Sequence, residues 1–340
     1  MSTDDVQNPE RVSWKTRYDQ QRAALKAARH QIPQPGPVRA LLASRLRTLP
    51  ARARLAPPDE RERLFKTTSP SYVLNEKSNL PTESTVIDGV RWRVPRPADD
   101  RTTAEWKELQ FRFPYHAILQ TREVSVGGLM LDIGANVGRT SIPRVIFGDA
   151  VAAYCAEPDP ANYACLRRNV VDNGLGGLVM PDQVAIGGRN GTVTLELSTK
   201  HTGHHVKFGA PPRTLSDRYI EVQSCTLDAW VTKHQIDLDA VTFIKVDVEG
   251  YEQQVLDGAA AVLDKTHIAW QLEVWARRLA AAGGGVTRFA ETLAAHFTHF
   301  IDLRRDIATS RVRPIDDIHA MAADLERENG KTDIVVFHES

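Results

Sequence analysis

The sequence is poor in cysteine and has no long apolar run. Its three cysteines, Cys155, Cys165 and Cys225, include no Cys-x-x-Cys spacing. An odd, widely spaced set predicts neither a disulfide framework nor a zinc knuckle. The N-terminus lacks the apolar stretch of a signal peptide, and no run of 18 apolar residues occurs anywhere in the 340 residues. We therefore expect no export, no membrane span and a cytoplasmic location.

The sequence also lacks an excess of charge. Lys plus Arg and Asp plus Glu both total 43, so the whole chain has no net attraction to nucleic acid. Residues 1–65 hold 13 basic against 7 acidic side chains. This surplus of basic side chains is typical of a solvent-exposed segment that flanks a folded domain. The alternative is a basic segment that binds an acidic partner. We predict a basic, Pro/Arg-rich helical extension over residues 1–100 and a second domain over residues 101–340.

From residue 126 onward, short apolar runs alternate with helical stretches, a pattern typical of an α/β fold with a parallel sheet. Upstream of it, Ser84–Pro95 alternates about an Asp-Gly pair and predicts a hairpin, and Ala104–Thr121 predicts a helix. The predicted helices of the second domain are Gly138–Phe147, Pro160–Asp172 and Glu252–Leu263. The predicted strands are Leu129–Ile133, Val151–Glu157, Val179–Ile186, Phe243–Val248, Ile268–Val274, Phe297–Leu303 and Ile334–His338, with extra strands at Thr192–Leu197 and Ile220–Leu227.

The long loop over residues 198–219 contains three histidines, His201, His204 and His205. Loops of this length often act as lids or binding loops. The histidine spacing is not that of a structural zinc site, so we predict no metal site. His204 and His205 remain candidates for a base or a substrate contact.

The segment Leu131–Gly138, LDIGANVG, lies where an apolar strand ends and a helix begins. Glycine at 134 and 138 allows close approach of a ligand to the backbone, and a helix N-terminus offers unpaired N–H groups. The loop reads G-x-N-x-G and differs from the dinucleotide fingerprint G-x-G-x-x-G. Glu157 follows 23 residues after Gly134, near the position where an acidic residue binds a ribose in βαβ nucleotide sites.

The segment Phe243–Glu252, FIKVDVEGYE, carries charges at the end of another apolar strand. Strand alternation predicts Lys245, Asp247 and Glu249 on one face. Ligands of open α/β sheets bind outside the carboxyl ends of the strands, so Asp247 and Glu249 should line the same crevice as Gly134 and Glu157.

Together, DIGANVG, the EPDP strand end, TLDAW at 226–230, IKVDVEGYEQQVLDGA at 244–259 and LEVW at 272–275 resemble the FkbM family of S-adenosylmethionine-dependent methyltransferases. The resemblance covers roughly residues 105–305. It implies a class I, Rossmann-like methyltransferase fold: a seven-stranded, mostly parallel sheet with helices on both faces and an antiparallel last strand. It also implies O-methylation of a saccharide, glycolipid or other small-molecule hydroxyl.

The resemblance also implies which residues bind each part of the cofactor. Asp132, Gly134, Asn136 and Gly138 would hold the methionine part of S-adenosylmethionine, and Glu157 its ribose. The strand end at Ala185 would border the adenine, and Asp247 would lie near the amino-acid part or the methyl group.

Methyl transfer to a hydroxyl needs in-line positioning and a base that takes the proton. The candidates for catalysis are Asp247, Glu249, Glu273 and His204, with Glu249 and Glu273 ranked above the histidines. Two other functions stay open: a nucleotide-dependent oxidoreductase on a related sheet, and a cofactor-binding protein without turnover. The sequence predicts no nucleic-acid partner and is compatible with a homo-oligomer.

Overall fold

In the computed structural model, the described residues are 82–87, 90–95, 128–147, 150–197, 205–206, 219–303 and 312–339. The predicted hairpin is present: β1 (Thr82–Ile87) pairs antiparallel with β2 (Val90–Pro95), with Ile87 opposite Val90. The predicted helix over Ala104–Thr121 and most of the N-terminal extension lie outside the described residues.

The main sheet confirms the predicted α/β architecture and runs in the order β13-β12-β14-β11-β10-β3-β4-β5. Five neighbouring strands, β11 to β5 in that order, are parallel, and β14 is antiparallel to β11 and β12. This is the seven-stranded arrangement that the resemblance implies, with the short β13 added at one edge. The strands are β3 (Gly128–Ile133), β4 (Ala150–Ala156), β5 (Val179–Asp182), β10 (Val241–Val246), β11 (Ala269–Trp275), β12 (His299–Asp302), β13 (Arg313–Pro314) and β14 (Lys331–Phe337).

A second, four-stranded sheet contains the predicted extra strands. Its order is β6-β9-β7-β8, with β6 at Ala185–Ile186, β7 at Gly191–Glu196, β8 at His205–Val206 and β9 at Tyr219–Cys225. The prediction of one strand over Val179–Ile186 is wrong, because the chain leaves the main sheet after Asp182 and β6 pairs with β9 instead.

Eight α-helices lie in the described part of the chain: α1 (Ser141–Phe147), α2 (Pro160–Asp172), α3 (Leu227–Lys233), α4 (Glu252–Asp257), α5 (Ala260–Leu263), α6 (Ala276–Ala281), α7 (Gly285–His296) and α8 (Ile318–Glu328). The single helix predicted over Glu252–Leu263 is wrong. It breaks into α4 and α5 at Gly258, where a Cβ atom would lie 2.3 Å from the carbonyl oxygen of Gly187.

The helices cover both faces of the main sheet. On one face, Ile142 of α1 and Leu166 of α2 pack with Phe243 of β10. On the other face, Trp230 of α3, Val255 of α4 and helices α7 and α8 form the larger core. None of the helices in the described residues has the length and apolar character that a membrane span requires.

Candidate active site

The predicted cofactor loop begins inside β3, where Asp132 is 1% exposed. Neither carboxylate oxygen of Asp132 has a hydrogen-bond partner. Burial raises the pKa of this carboxyl group, and the charge of Lys245 partly offsets that rise. Ser141 lies close enough to lower the pKa of Asp132, and the two carboxylate oxygens keep acceptor capacity for a further donor.

Gly134 brings this loop against the end of β10. Its φ is +80°, and a Cβ atom there would lie 1.9 Å from the carbonyl oxygen of Asp247. The Asp247 N–H in turn donates to the Ile133 carbonyl oxygen at 2.9 Å. Glycine at 134 is thus required by the contact between two segments of the site.

The rest of the loop is fixed by its own hydrogen bonds and by packing. Asn136 has a φ of 53°, and its Oδ1 accepts from the Val137 N–H at 2.8 Å. Gly138, at φ +89°, has no room for a Cβ atom, which would meet Ile142 and Leu166 at 2.6 and 2.8 Å. Both glycines therefore serve the packing of the chain itself, and their role toward a cofactor stays a prediction.

Glu157 ties the loop after β3 to the loop after β4. Its Oε2 accepts from the Asn136 N–H at 2.8 Å, and its Oε1 accepts from the Asp159 N–H at 2.9 Å. Burial and the neighbouring charge of Asp159 raise the pKa of Glu157 to about 8. The Asn162 side chain also hydrogen-bonds to Glu157. A carboxylate has about four lone-pair sites, so these three bonds leave acceptor capacity for a further hydroxyl group.

The third segment follows β10. The strand ends at Val246, so the prediction that Asp247 and Glu249 continue its alternation is wrong. Glu249 instead adopts a left-handed conformation with φ 57°. Glu252 stabilises this turn, since its Oε1 accepts from the Val248 and Gly250 N–H groups at 3.0 and 3.2 Å. The Lys245 ammonium contacts Asp247 Oδ2 at 3.0 Å.

Glu273 of β11 completes an acidic cluster. It is 4% exposed, and its Oε1 pairs with Lys331 of β14. One carboxylate oxygen from each of Asp247, Glu249 and Glu273 lies within 4.8 Å of the others. Arg278 pairs with Glu249 at 3.4 Å, so a basic side chain holds each carboxylate.

This crowding changes the ionisation of the acids. Burial first, and then the charges of Asp247 and Glu249, raise the pKa of Glu273 well above its usual range. Burial and the Asp247 charge also raise the pKa of Glu249. For Asp247 the Lys245 charge opposes burial, and its pKa is lowered. Asp247 is thus the most readily ionised member of the cluster.

The structure brings most of the predicted residues to one edge of the sheet. Asp132, Gly134, Asn136, Glu157 and Asp247 lie at the carboxyl ends of the neighbouring strands β10, β3 and β4. Ala185 is buried in β6 of the second sheet, three residues after β5 ends. His201 and His204 lie outside the described residues, and of His205 the structure describes only the backbone in β8.

The sequence-based site omits two basic residues that the structure places there, Arg278 and Lys331. Lys331 begins β14, and the N-terminal end of an antiparallel strand lies at the same edge as the carboxyl ends of its parallel neighbours. The charged residues Lys331 and Asp333 just before the apolar run of the last strand were the available signal.

The tryptophans near the site contribute packing. Trp230 and Trp270 are fully buried. Trp275 has the Arg278 guanidinium 4.5 Å and the Lys331 ammonium 5.0 Å from its ring centroid. These cation–π contacts hold the two basic residues beside the acidic cluster.

Comparison with known proteins gives a family match. The family model described as the methyltransferase FkbM domain matches residues 132–302. Comparison with curated proteins gives no match.

Many solved structures are similar to the chain at low identity, and three of them illustrate the range. An FkbM methyltransferase from Methylobacillus flagellatus is 18% identical over 71% of this chain and 56% of its own, with a TM-score of 0.38. A putative tRNA (m1A22) methyltransferase from Streptococcus pneumoniae, in complex with S-adenosyl-L-methionine, is 14% identical over 66% and 73%, with a TM-score of 0.36. Precorrin-6y C5,15-methyltransferase from Geobacter metallireducens is 12% identical over 66% and 88%, with a TM-score of 0.34.

The chain spans 56% of the length of the Methylobacillus protein. The family match itself runs from Asp132 in β3 to Asp302 in β12. It therefore includes the glycine loop, the strand end at Glu157 and the acidic cluster. The matched segment covers half of the sequence, and the chain belongs to the FkbM methyltransferase domain family.

Proposed function

We propose that this protein is an S-adenosylmethionine-dependent methyltransferase that acts on a hydroxyl group of a saccharide, a glycolipid or a secondary metabolite. One observation carries the proposal: Asp132, Glu157 and Asp247 lie at the carboxyl ends of three adjacent strands in a member of the FkbM family. Ligands of open α/β sheets bind at this edge. The N-terminal residues 1–100 would then be an extension to a methyltransferase domain over residues 101–340.

The residues at this edge fit the cofactor chemically. The buried carboxylate of Asp132 suits an ammonium group, and the remaining acceptor capacity of Glu157 suits a ribose hydroxyl. Gly134, Asn136 and Gly138 would shape the methionine end of the site, with Asp247 beside it. Ala185 would border the adenine. When bound, S-adenosylmethionine supplies a methyl group on a positively charged sulfur.

The acceptor side of the site supplies candidates for the base. Glu249 has 21% of its side chain exposed, and Glu273 is buried. Raised pKa values make both carboxylates better proton acceptors than an ordinary glutamate, provided they are ionised. The segment predicted as a loop over residues 198–219 contains β8 and the first residue of β9, so that prediction is wrong in part. We propose that Glu249 or Glu273 takes the proton of the acceptor hydroxyl, with His204, next to β8 in the sequence, as the alternative.

The experiment is methyl transfer from isotopically labelled S-adenosylmethionine to a panel of neutral saccharides and glycolipids, each paired with its amino analogue. We expect the label on a hydroxyl oxygen, located by mass spectrometry. Replacing the base, by Glu249→Gln or Glu273→Gln, should lower the turnover about 100-fold or more. Both variants should still bind S-adenosylhomocysteine. Label on nitrogen alone would overturn the assignment of a hydroxyl acceptor. Full turnover in both variants would overturn the assignment of the base to Glu249 or Glu273.

A further inference from the structure

The residues around Asp247 carry more negative than positive charge. Six carboxyl groups act strongly on one another there: Asp132, Asp247, Glu249, Glu252, Glu273 and Asp333. The basic side chains that act on them are Arg139, Lys245, Arg278 and Lys331. Six acidic side chains against four basic ones leave an excess of acidic groups around Asp247, which favours a ligand that brings positive charge.

Each of the three clustered carboxylates forms an ion pair with a basic side chain through one of its two oxygens. Lys245 contacts Asp247 Oδ2, Arg278 contacts Glu249 Oε2 and Lys331 contacts Glu273 Oε1. The second oxygen of Glu273, Oε2, is buried and has no hydrogen-bond partner. The basic residues therefore fix the carboxylates while an oxygen in the most buried of them stays open.

Acceptors without donors also surround the cluster. Both oxygens of Asp132, Oε1 of Gln271 and Oε2 of Glu252 are buried and have no hydrogen-bond partner. Gln271 precedes Glu273 by two residues and faces the same side of β11, where its Nε2 donates to Asp333 Oδ2 at 3.3 Å. Buried acceptors without donors are unfavourable, so this excess points to a cationic ligand rather than to a hydrogen-bond acceptor.

The sequence predicts no metal site, but the carboxylate geometry departs from that prediction. We propose that Asp247, Glu249 and Glu273 bind one hard divalent cation of the Mg²⁺ type. The three ligand oxygens lie within 4.8 Å of one another. Opposite ligands of an octahedral Mg²⁺ ion, at about 2.1 Å each, are about 4.2 Å apart, and adjacent ones are closer, so the three oxygens would draw together when the ion binds. Carboxylates and water are the ligands that such an ion prefers.

This site deepens the proposed function and rests on it for its role. An ion at this position would lie beside Asp247, bind the acceptor hydroxyl and lower the pKa of that hydroxyl. A carboxylate that binds the ion is less available as a base, so the ion would take over part of the activation. Binding of the ion itself does not depend on methyl transfer.

The test uses the full chain, stripped of metal with a chelator, at pH 8. Mn²⁺ serves as the probe, because free and bound Mn²⁺ are distinguished by electron paramagnetic resonance. We expect one Mn²⁺ per chain, displaced by Mg²⁺, and a dissociation constant at least tenfold higher in Glu249→Gln and in Glu273→Gln. Glu291→Gln, at an exposed position of α7, is the matched control and should leave the dissociation constant unchanged.

Absence of stoichiometric Mn²⁺ binding, or equal binding in both cluster variants and the control, would overturn the site. S-adenosylhomocysteine is titrated into the same metal-free samples. If it binds while Mn²⁺ does not, the metal site is wrong and the proposed function stands. If Mn²⁺ binds as expected and S-adenosylhomocysteine does not, the ion site stands and the proposed function fails. Circular dichroism of each variant confirms that the fold is retained.

Discussion

At the residue scale, Gly134 is required by a backbone contact as well as by its own conformation. Gly177 provides a matched comparison, because its φ of +79° is nearly equal to the +80° of Gly134 and a Cβ atom there would meet nothing within 4 Å. The two positions therefore separate the cost of a left-handed conformation from the cost of a clash.

Gly177→Ala should cost about 1 kcal/mol, the penalty of the left-handed conformation. Gly134→Ala should cost about 3 kcal/mol more, because the new Cβ atom would displace the backbone of Asp247. The melting temperature of the Gly134 variant should then lie about 6–12 °C below that of the Gly177 variant. Equal melting temperatures would show that the loop after β3 does not press against the end of β10.

Glu157 gives a second prediction, on cofactor affinity. Its pKa is raised to about 8, so below that pH much of the group is protonated in the free protein. Ribose hydroxyls donate to the ionised form, and binding should release a proton. The affinity for S-adenosylhomocysteine should rise between pH 6 and 8 and level off above it.

Calorimetry in two buffers of different ionisation enthalpy measures the affinity and the proton release together. Glu157→Gln should bind more weakly and lose the pH dependence over this range. A wild-type affinity that is flat between pH 6 and 8, or that falls, would contradict the role of Glu157 at the ribose.

At the element scale, one buried carboxylate connects β5 to α3. Asp182 Oδ2 accepts from Trp230 Nε1 at 3.1 Å and from Lys233 Nζ at 3.0 Å, and it contacts His234 Nε2 at 2.7 Å. Burial opposes ionisation of Asp182, but the bonds to His234 and Lys233 outweigh it and hold the pKa below its usual value. Asp182 thus fixes α3 against the end of β5, beside the predicted adenine region.

Asp182→Asn should lower the free energy of unfolding by about 2–3 kcal/mol, as expected for charged hydrogen bonds in a buried place. The control is Asp239→Asn, which removes the pair with Lys265 at a position whose side chain is 75% exposed, and it should cost less than about 1 kcal/mol. Urea denaturation at pH 7 measures both. If the free energies of unfolding of the two variants agree within the measurement error, Asp182 does not anchor α3.

The sequence predicts the elements better than their ends. Seven strands of the main sheet follow from apolar runs, and α2 begins where predicted because Pro160 follows the capping residue Asp159. The split between β5 and β6 could not be predicted, because the partner of β6 is β9, which lies 33 residues further along the chain. The break at Gly258 also depends on a distant contact, the carbonyl group of Gly187.

The same reason limits prediction of the site. Local motifs identify Asp132, Glu157 and Asp247, each at the end of a strand that carries its own signal. The pairing of Lys331 with Glu273 requires the antiparallel register of β14 against β11, and 58 residues separate the two. A local motif does not contain that register.

At the scale of the whole molecule, buried carboxyl groups should make the cofactor-free protein sensitive to alkaline pH. Burial raises the pKa of Asp333 to about 6 and that of Glu252 to about 7, and Glu157 reaches about 8. These groups ionise more readily in the unfolded chain, so their contribution to stability is complete at low pH. This contribution to stability is lost as the pH rises through the pKa values that these groups have in the folded protein.

The free energy of unfolding should therefore fall between pH 5 and pH 8, as measured by urea denaturation across that range. Asp182 does not act in this window, because its lowered pKa affects stability below about pH 4. Glu252→Gln should reduce the slope, since it removes one of the three groups. A free energy of unfolding that is constant or rises from pH 5 to pH 8 would contradict the buried state of these carboxyl groups.

Binding of S-adenosylmethionine at the edge formed by β10, β3 and β4 can be measured by thermal unfolding with S-adenosylhomocysteine, with NADH as the control. A ligand at 100 times its dissociation constant stabilises the folded state by about 2.7 kcal/mol, or roughly 5–10 °C for a domain of this size. We predict this shift with S-adenosylhomocysteine and none with NADH. A shift with NADH alone would favour a nucleotide-dependent oxidoreductase, and no shift with either ligand at saturating concentration would contradict the cofactor site.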